Sequence, residues 1–162
     1  MEGLRVVETG EGIGADIMRA LAACGKETMR HRNEDYPALL VVSQGAIRKK
    51  RKLPDRCGVL LVPGDAGRAI RTIRAASAVS YGASNRDSLT VSSREQTRIM
   101  AAIQRSLVTV DGDTVECQEF ALELAPGRDE MSALAVVGAL ILLGISPEEA
   151  ARAMEQGERN EK

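Results

Sequence analysis

At 162 residues and a formal net charge of −1, the chain is long enough to bury a core as one domain, and no global field draws it to nucleic acid or to a membrane. One Phe and two Tyr are its only aromatics, which leaves almost nothing on which bases could stack. The charge is nonetheless uneven, with 14 Lys/Arg against 9 Asp/Glu in residues 1–76 and 8 against 14 in the rest. No basic start is followed by an apolar leader, and the longest apolar run, Ala133 to Ile145, is too short to span a bilayer. Cys24, Cys57 and Cys117 are odd in number and never arranged as CxxC, so we read them as reduced, mostly buried thiols of a cytoplasmic protein.

Leu4 to Lys26 reads as strand, glycine-rich turn and helix. Leu4 to Val7 is a short apolar run, and Gly10, Gly12 and Gly14 supply three glycines within five positions. Ile13, Ile17, Met18, Leu21 and Cys24 then form one apolar stripe at helical spacing, closed by Gly25. Such a unit aims the first N–H groups of a helix at whatever lies over the loop, which suits phosphate. Around Thr28 to His31 a short strand is expected. Ala38 to Ser43 reads as a strand buried on both faces, and Arg48 to Lys52 as a basic loop. Cys57 to Val62 is another buried strand. Asp65 then caps a predicted helix over Ala66 to Ala76, with Arg68, Arg71 and Arg74 on its wet side, and Ala78 to Tyr81 returns as a strand.

Beyond Gly82, Ser88 to Ser92 alternates like a half-exposed strand, while 96–107 fits helix or strand equally. Asp111-Gly112 signals a hairpin between Leu107–Val110 and Thr114–Leu124, and a change of apolar parity predicts a break near Gln118-Glu119. Met131 to Leu143 is apolar on every side and reads as a buried helix ended by Gly144. Ser146-Pro147-Glu148-Glu149 is a capping box for a last helix to about Gln156. The expected fold is α/β: three layers, a mainly parallel sheet with helices on both faces, and an antiparallel hairpin near 107–124. Residues 1–156 form one domain in this reading, and 157–162 a charged, disordered tail.

Three places, in this order, resemble the central, ATP-binding domain of the Mur ligase family, which joins amino acids to peptidoglycan precursors. Val6-Val7-Glu8-Thr9-Gly10 is similar to the strand entering that family's P-loop. Val59 to Asp65, followed by Ala78 to Gly82, resembles its later strands, and Gly127 to Ala151 its closing helix pair. The resemblance covers nearly the whole chain as one shortened domain, without the family's first and third domains. It implies an ATP- and Mg²⁺-dependent ligase ancestry and a link to cell-wall synthesis. The departures bear on chemistry. A P-loop needs Lys after its last glycine and Ser/Thr for Mg²⁺. Here Ile13-Gly14-Ala15-Asp16 stands in that place, and Arg128-Asp129 and Ser132 stand where the family opens its long helix with a His-Asn pair and a further Asn. The segment carrying the family's Mg²⁺-binding Glu and His is missing. Loss of ligase chemistry is therefore expected.

Three readings follow. The first is a non-catalytic binding or interaction module, working with a protein partner or as a homodimer, with no catalytic residue, metal or cofactor and no membrane contact. In the second, Thr9, Gly10, Gly12 and Gly14 give backbone N–H groups to a nucleotide or phosphorylated metabolite, with Arg128 or Ser132 facing the same cleft and ATP/Mg²⁺ as the implied cofactor. Gly10 to Ala15 also satisfies the dinucleotide pattern GxGxxG/A, though Glu11 and Asp16 place carboxylates where an anion would sit. The loop is equally a tight turn retained for packing. The third reading, nucleic-acid binding through Arg48 to Lys52, is weak without aromatics. His31, the one histidine, is read as a surface residue.

Overall fold

The computed structural model describes residues 3–26 and 35–159, so the strand expected around Thr28 to His31, and His31 itself, lie outside the described residues. Seven strands make one sheet: β1 (Leu4–Val7), β2 (Leu39–Val42), β3 (Arg56–Pro63), β4 (Arg74–Tyr81), β5 (Leu89–Arg94), β6 (Arg98–Ile103) and β9 (Gln118–Glu123). They lie side by side in that order. β1 to β5 are mutually parallel; β6 is antiparallel to β5, and β9 to β6. Two short strands, β7 (Leu107–Val108) and β8 (Thr114–Val115), pair separately as a small hairpin.

The helices α1 (Ile13–Ala23), α3 (Glu130–Leu142) and α4 (Pro147–Arg159) pack together on one face. β2 is buried on both sides because its alternate residues serve two cores. Leu39 and Val41 join the large cluster under α1, α3 and α4, while Leu40 and Val42 join a smaller one. That smaller cluster is closed by a short helix, α2 (Gln44–Arg48), and a 3-10 turn over Gly67–Ile70. The expected α/β architecture with helices on both faces of a mainly parallel sheet is what the chain forms. α3 is completely enclosed, Ala133 to Leu143 being buried without a break, so its apolar circumference is spent on its own chain. Val108 is the one large hydrophobic side chain exposed among the described residues.

Three local expectations differ from what is observed, and two others are resolved. The helix predicted over Ala66 to Ala76 is only the 3-10 turn; Gly67 takes φ 54°, and Arg74 to Ala78 is claimed by β3, whose eight residues pair along almost their whole length with β4. Pairing along a whole strand outweighs a weak local helical pattern. The ambiguous 96–107 segment resolves as strand, placed between β5 and β9. The second hairpin arm breaks between Val115 and Gln118, as the parity change predicts, and β9 then leaves the hairpin for the main sheet. The tail expected from Gly157 is helical to Arg159, because Gly157 lies against the backbone of Arg19 and Ala20 and carries α4 along α1. All three cysteines are free, but Cys117, at the β8–β9 break, is exposed.

A carboxylate-lined cleft at the strand ends

A cleft of about 440 Å³ opens at the carboxyl ends of β1, β2 and β4. In parallel α/β sheets this is where the loops and helix N-termini converge, and hence where ligands bind. Its walls are Thr9, Gly10, Glu11 and Ile13 from the β1–α1 loop, Gln44, Gly45 and Arg48 from α2, Tyr81 from β4, and Asp129, Met131 and Ser132 from the start of α3. Three helices thus begin at the cleft, each with unpaired N–H groups and the positive end of its dipole.

Each of those starts is met by a carboxylate of the same chain. At α1, Glu8 curls back over the loop: the N–H groups of Gly12 and Ile13 donate to its Oε1 at 2.7 and 3.2 Å, and that of Gly14 to its Oε2 at 2.7 Å. Gly14 leaves the room for this, since a Cβ there would lie 3.3 Å from Glu8 Oε2. At α2, Ser43 is the N-cap, its Oγ accepting from Ala46 N–H at 3.0 Å, and Gly45 N–H donates to Glu11 Oε2 at 3.3 Å. Glu11 Oε1 also accepts from the N–H and hydroxyl of Thr9 at 2.6 and 2.7 Å. At α3, Asp129 Oδ2 accepts from Ser132 N–H at 3.0 Å and from its hydroxyl at 2.8 Å.

Burial opposes the charge on Glu11, but hydrogen bonds from Ser43 and Thr9 outweigh it and hold the carboxyl down at about 2. Burial raises the Tyr81 hydroxyl, helped by the charges of Glu11, Asp129 and Asp65, and it stays a neutral donor to Val42 O at 2.8 Å. Gly45 allows the two loops to meet, because a Cβ there would fall 2.0 Å from Thr9 Oγ1.

The residues singled out from the sequence separate here. Thr9, Gly10 and Ser132 line the cleft, and Gly12 and Gly14 stand behind it with their N–H groups turned to Glu8. Arg128 is elsewhere: it reaches Asp16 at 2.7 Å and Glu158 at 3.1 Å, tying the start of α3 to α1 and α4. A side chain one residue before an N-cap can turn to either side, and paired carboxylates drew this one away. Sequence reasoning missed Glu8, Gln44, Gly45 and Tyr81. The signal for the first was available: a Glu two residues before a glycine-rich turn can reach the helix start that follows.

The donor set departs from one built to hold a Mg²⁺-bound nucleotide. Where a phosphate loop has Lys and Ser/Thr, Ala15 and Asp16 stand, and the N–H groups of Gly12, Ile13 and Gly14 are already engaged. Among the described residues no three His, Cys, Asp or Glu side chains gather as a metal site. Arg48 is the cation on the rim, exposed and without an ion pair among the described residues.

No protein-family model matches the chain, and no curated protein matches it. Solved structures do. The UDP-N-acetylmuramoylalanyl-D-glutamyl-2,6-diaminopimelate–D-alanyl-D-alanyl ligase of Acinetobacter baumannii superposes with a TM-score of 0.60 at 13% identity, over 96% of this chain and 46% of that one. A murein peptide ligase from Psychrobacter arcticus 273-4 gives 0.60 at 7% identity, over 93% and 45%. MurF from Acinetobacter baumannii gives 0.59 at 12%, over 94% and 44%. The chain spans less than half the length of each. Among the described residues no helix is long and apolar enough to cross a membrane. What these likenesses establish is the fold, a Mur-ligase-like α/β sheet with its helices.

Proposed function

We propose that this chain is a Mur-ligase-like binding module that has given up ATP-dependent ligation, its phosphate loop closed by its own carboxylates. The observation that carries the reading is the Glu8 carboxylate on the N–H groups of Gly12, Ile13 and Gly14. Those are the donors a phosphate would need, and a phosphate approaching them meets the charges of Glu8 and Glu11. Absence of the loop Lys and hydroxyl points the same way. On this reading the protein is non-catalytic, works through a protein partner or a second copy, and keeps only a structural tie to the murein ligases it resembles.

A second reading has one observation in its favour, the open 440 Å³ cleft with Gln44, Arg48 and Ser132 on its walls. It is a site for a nucleotide or phosphorylated metabolite of cell-wall precursor metabolism, held from the α2 side. Thermal unfolding against ATP, ADP, NAD(H), NADP(H), UDP-sugars and inorganic phosphate, with and without Mg²⁺, separates the two. The module shows no shift with any of them. A shift of several degrees with one nucleotide, abolished by Arg48→Gln, establishes the second reading instead.

A further inference from the structure

Residues 44–76 carry nine Lys/Arg against two Asp/Glu, a local charge of +7 in a chain whose net charge is −1. The fold gathers those of α2, of the loop after it and of the 3-10 turn. α2 and the 3-10 turn share one small core through Ala46, Ile47, Ala66, Ile70 and Ile73, so the cations they carry lie on the same layer, opposite α1, α3 and α4. Arg48 to Lys52, Arg56, Arg68, Arg71 and Arg74 are all exposed. None forms an ion pair among the described residues; Arg56 lies over the Tyr36 ring at 4.2 Å. Arg56 and Arg74 are register partners on β3 and β4, a like-charge juxtaposition that costs stability unless something else makes use of it. The charges on the opposite layer are arranged differently: Glu149 pairs with Lys26, Glu155 with Arg159 and Glu158 with Arg128.

We propose that this basic layer is a docking surface for an anionic lipid bilayer. Clustered Lys/Arg near such a surface gain free energy residue by residue from the negative potential of the lipid. Between the cations, Ile47, Leu53, Ile70 and Ile73 are only half-buried, able to enter the headgroup region while neighbouring guanidinium groups stay at phosphate level. Nucleic acid fits less well, since α2 has five residues, too short to fill a groove, and the nearby aromatic, Tyr36, is covered by Arg56. A second copy fits less well too, because three of the four acids of α4 already have partners. Apart from Arg48, which also stands on the rim of the cleft, the surface is separate from the Glu8 loop and stands whether or not the cleft takes a ligand. A net charge near zero concealed it.

The test is co-sedimentation of the full chain with vesicles of pure phosphatidylcholine and of phosphatidylcholine with 30% phosphatidylglycerol, across a salt series. Binding is expected to the anionic vesicles alone and to fall steeply with salt. The variants Lys49→Gln/Lys50→Gln/Arg51→Gln and Arg68→Gln/Arg71→Gln should weaken it roughly a hundredfold and roughly thirtyfold respectively, with unchanged melting. Several results overturn the proposal: no sedimentation with anionic vesicles at low salt, equal binding to neutral vesicles, or wild-type binding by both variants. Tighter binding to a 30-nucleotide RNA than to anionic vesicles at the same salt overturns it as well.

Discussion

The cleft and the basic layer are the two regions of this molecule that look functional, and they differ in what they have left to offer. At the cleft, three helix starts and three carboxylates satisfy each other through Glu8, Glu11 and Asp129. On the basic layer, a run of guanidinium and ammonium groups has almost no partner among the described residues. A satisfied donor gives a ligand only the difference between two hydrogen bonds, whereas an unpaired charge gives its full attraction, tempered by salt. The lesson is that a phosphate-loop outline is no evidence of phosphate affinity until its N–H groups are shown to be free.

Breaking the internal pairs should therefore damage stability at the cleft and not on the basic layer. Glu8→Ala leaves three N–H groups without their charged acceptor and is expected to cost about 1–3 kcal/mol in urea unfolding. An undiminished midpoint would mean that water serves the loop as well. Asp129→Ala removes the α3 cap and the partner of the Ser132 hydroxyl, a loss of about 1 kcal/mol, which Asp129→Asn should largely restore.

Glu11 gives a pH signature. Its carboxyl is held at about 2 in the folded chain against 4.5 unfolded, so its stabilisation is fully present above pH 4.5 and is lost as pH falls through 2. Between those values wild type should lose melting temperature more steeply than Glu11→Gln; parallel profiles would show that the pair contributes nothing. The smallest effect is expected on the other side of the comparison, where Arg68→Gln/Arg71→Gln should leave stability within about 0.5 kcal/mol. A large loss there would reveal partners that the basic layer does not show.

Elements whose signal is local were legible in the sequence. α1 with its Gly25 stop, the enclosed α3, and α4 with Ser146 as cap all follow from periodicity and capping chemistry, and Glu149 N–H does donate to Ser146 Oγ at 3.3 Å. The Ala66 to Ala76 stretch was misread because its fate depends on an eight-residue strand far off in the fold, which no window of neighbouring residues contains. α2 escaped notice for a different reason: at five residues with a glycine at its second position, it has too little periodicity to register. The site divides likewise. The glycine loop and Ser132 could be named from sequence, and Glu11 could be flagged as unfavourable to phosphate. That Glu8 and Glu11 turn inward to serve the helices is a matter of rotamers and of the space left by Gly14 and Gly45.

The central claim, that Glu8 stands where a ligand's anion would, is tested most directly by isothermal titration of inorganic phosphate and of ATP with Mg²⁺ into wild type and Glu8→Ala. The account predicts no heat of binding for wild type and weak, saturable phosphate binding for Glu8→Ala, whose vacated N–H groups then have an anion to accept. Saturable binding of ATP to wild type, undiminished or weakened in Glu8→Ala, would contradict it.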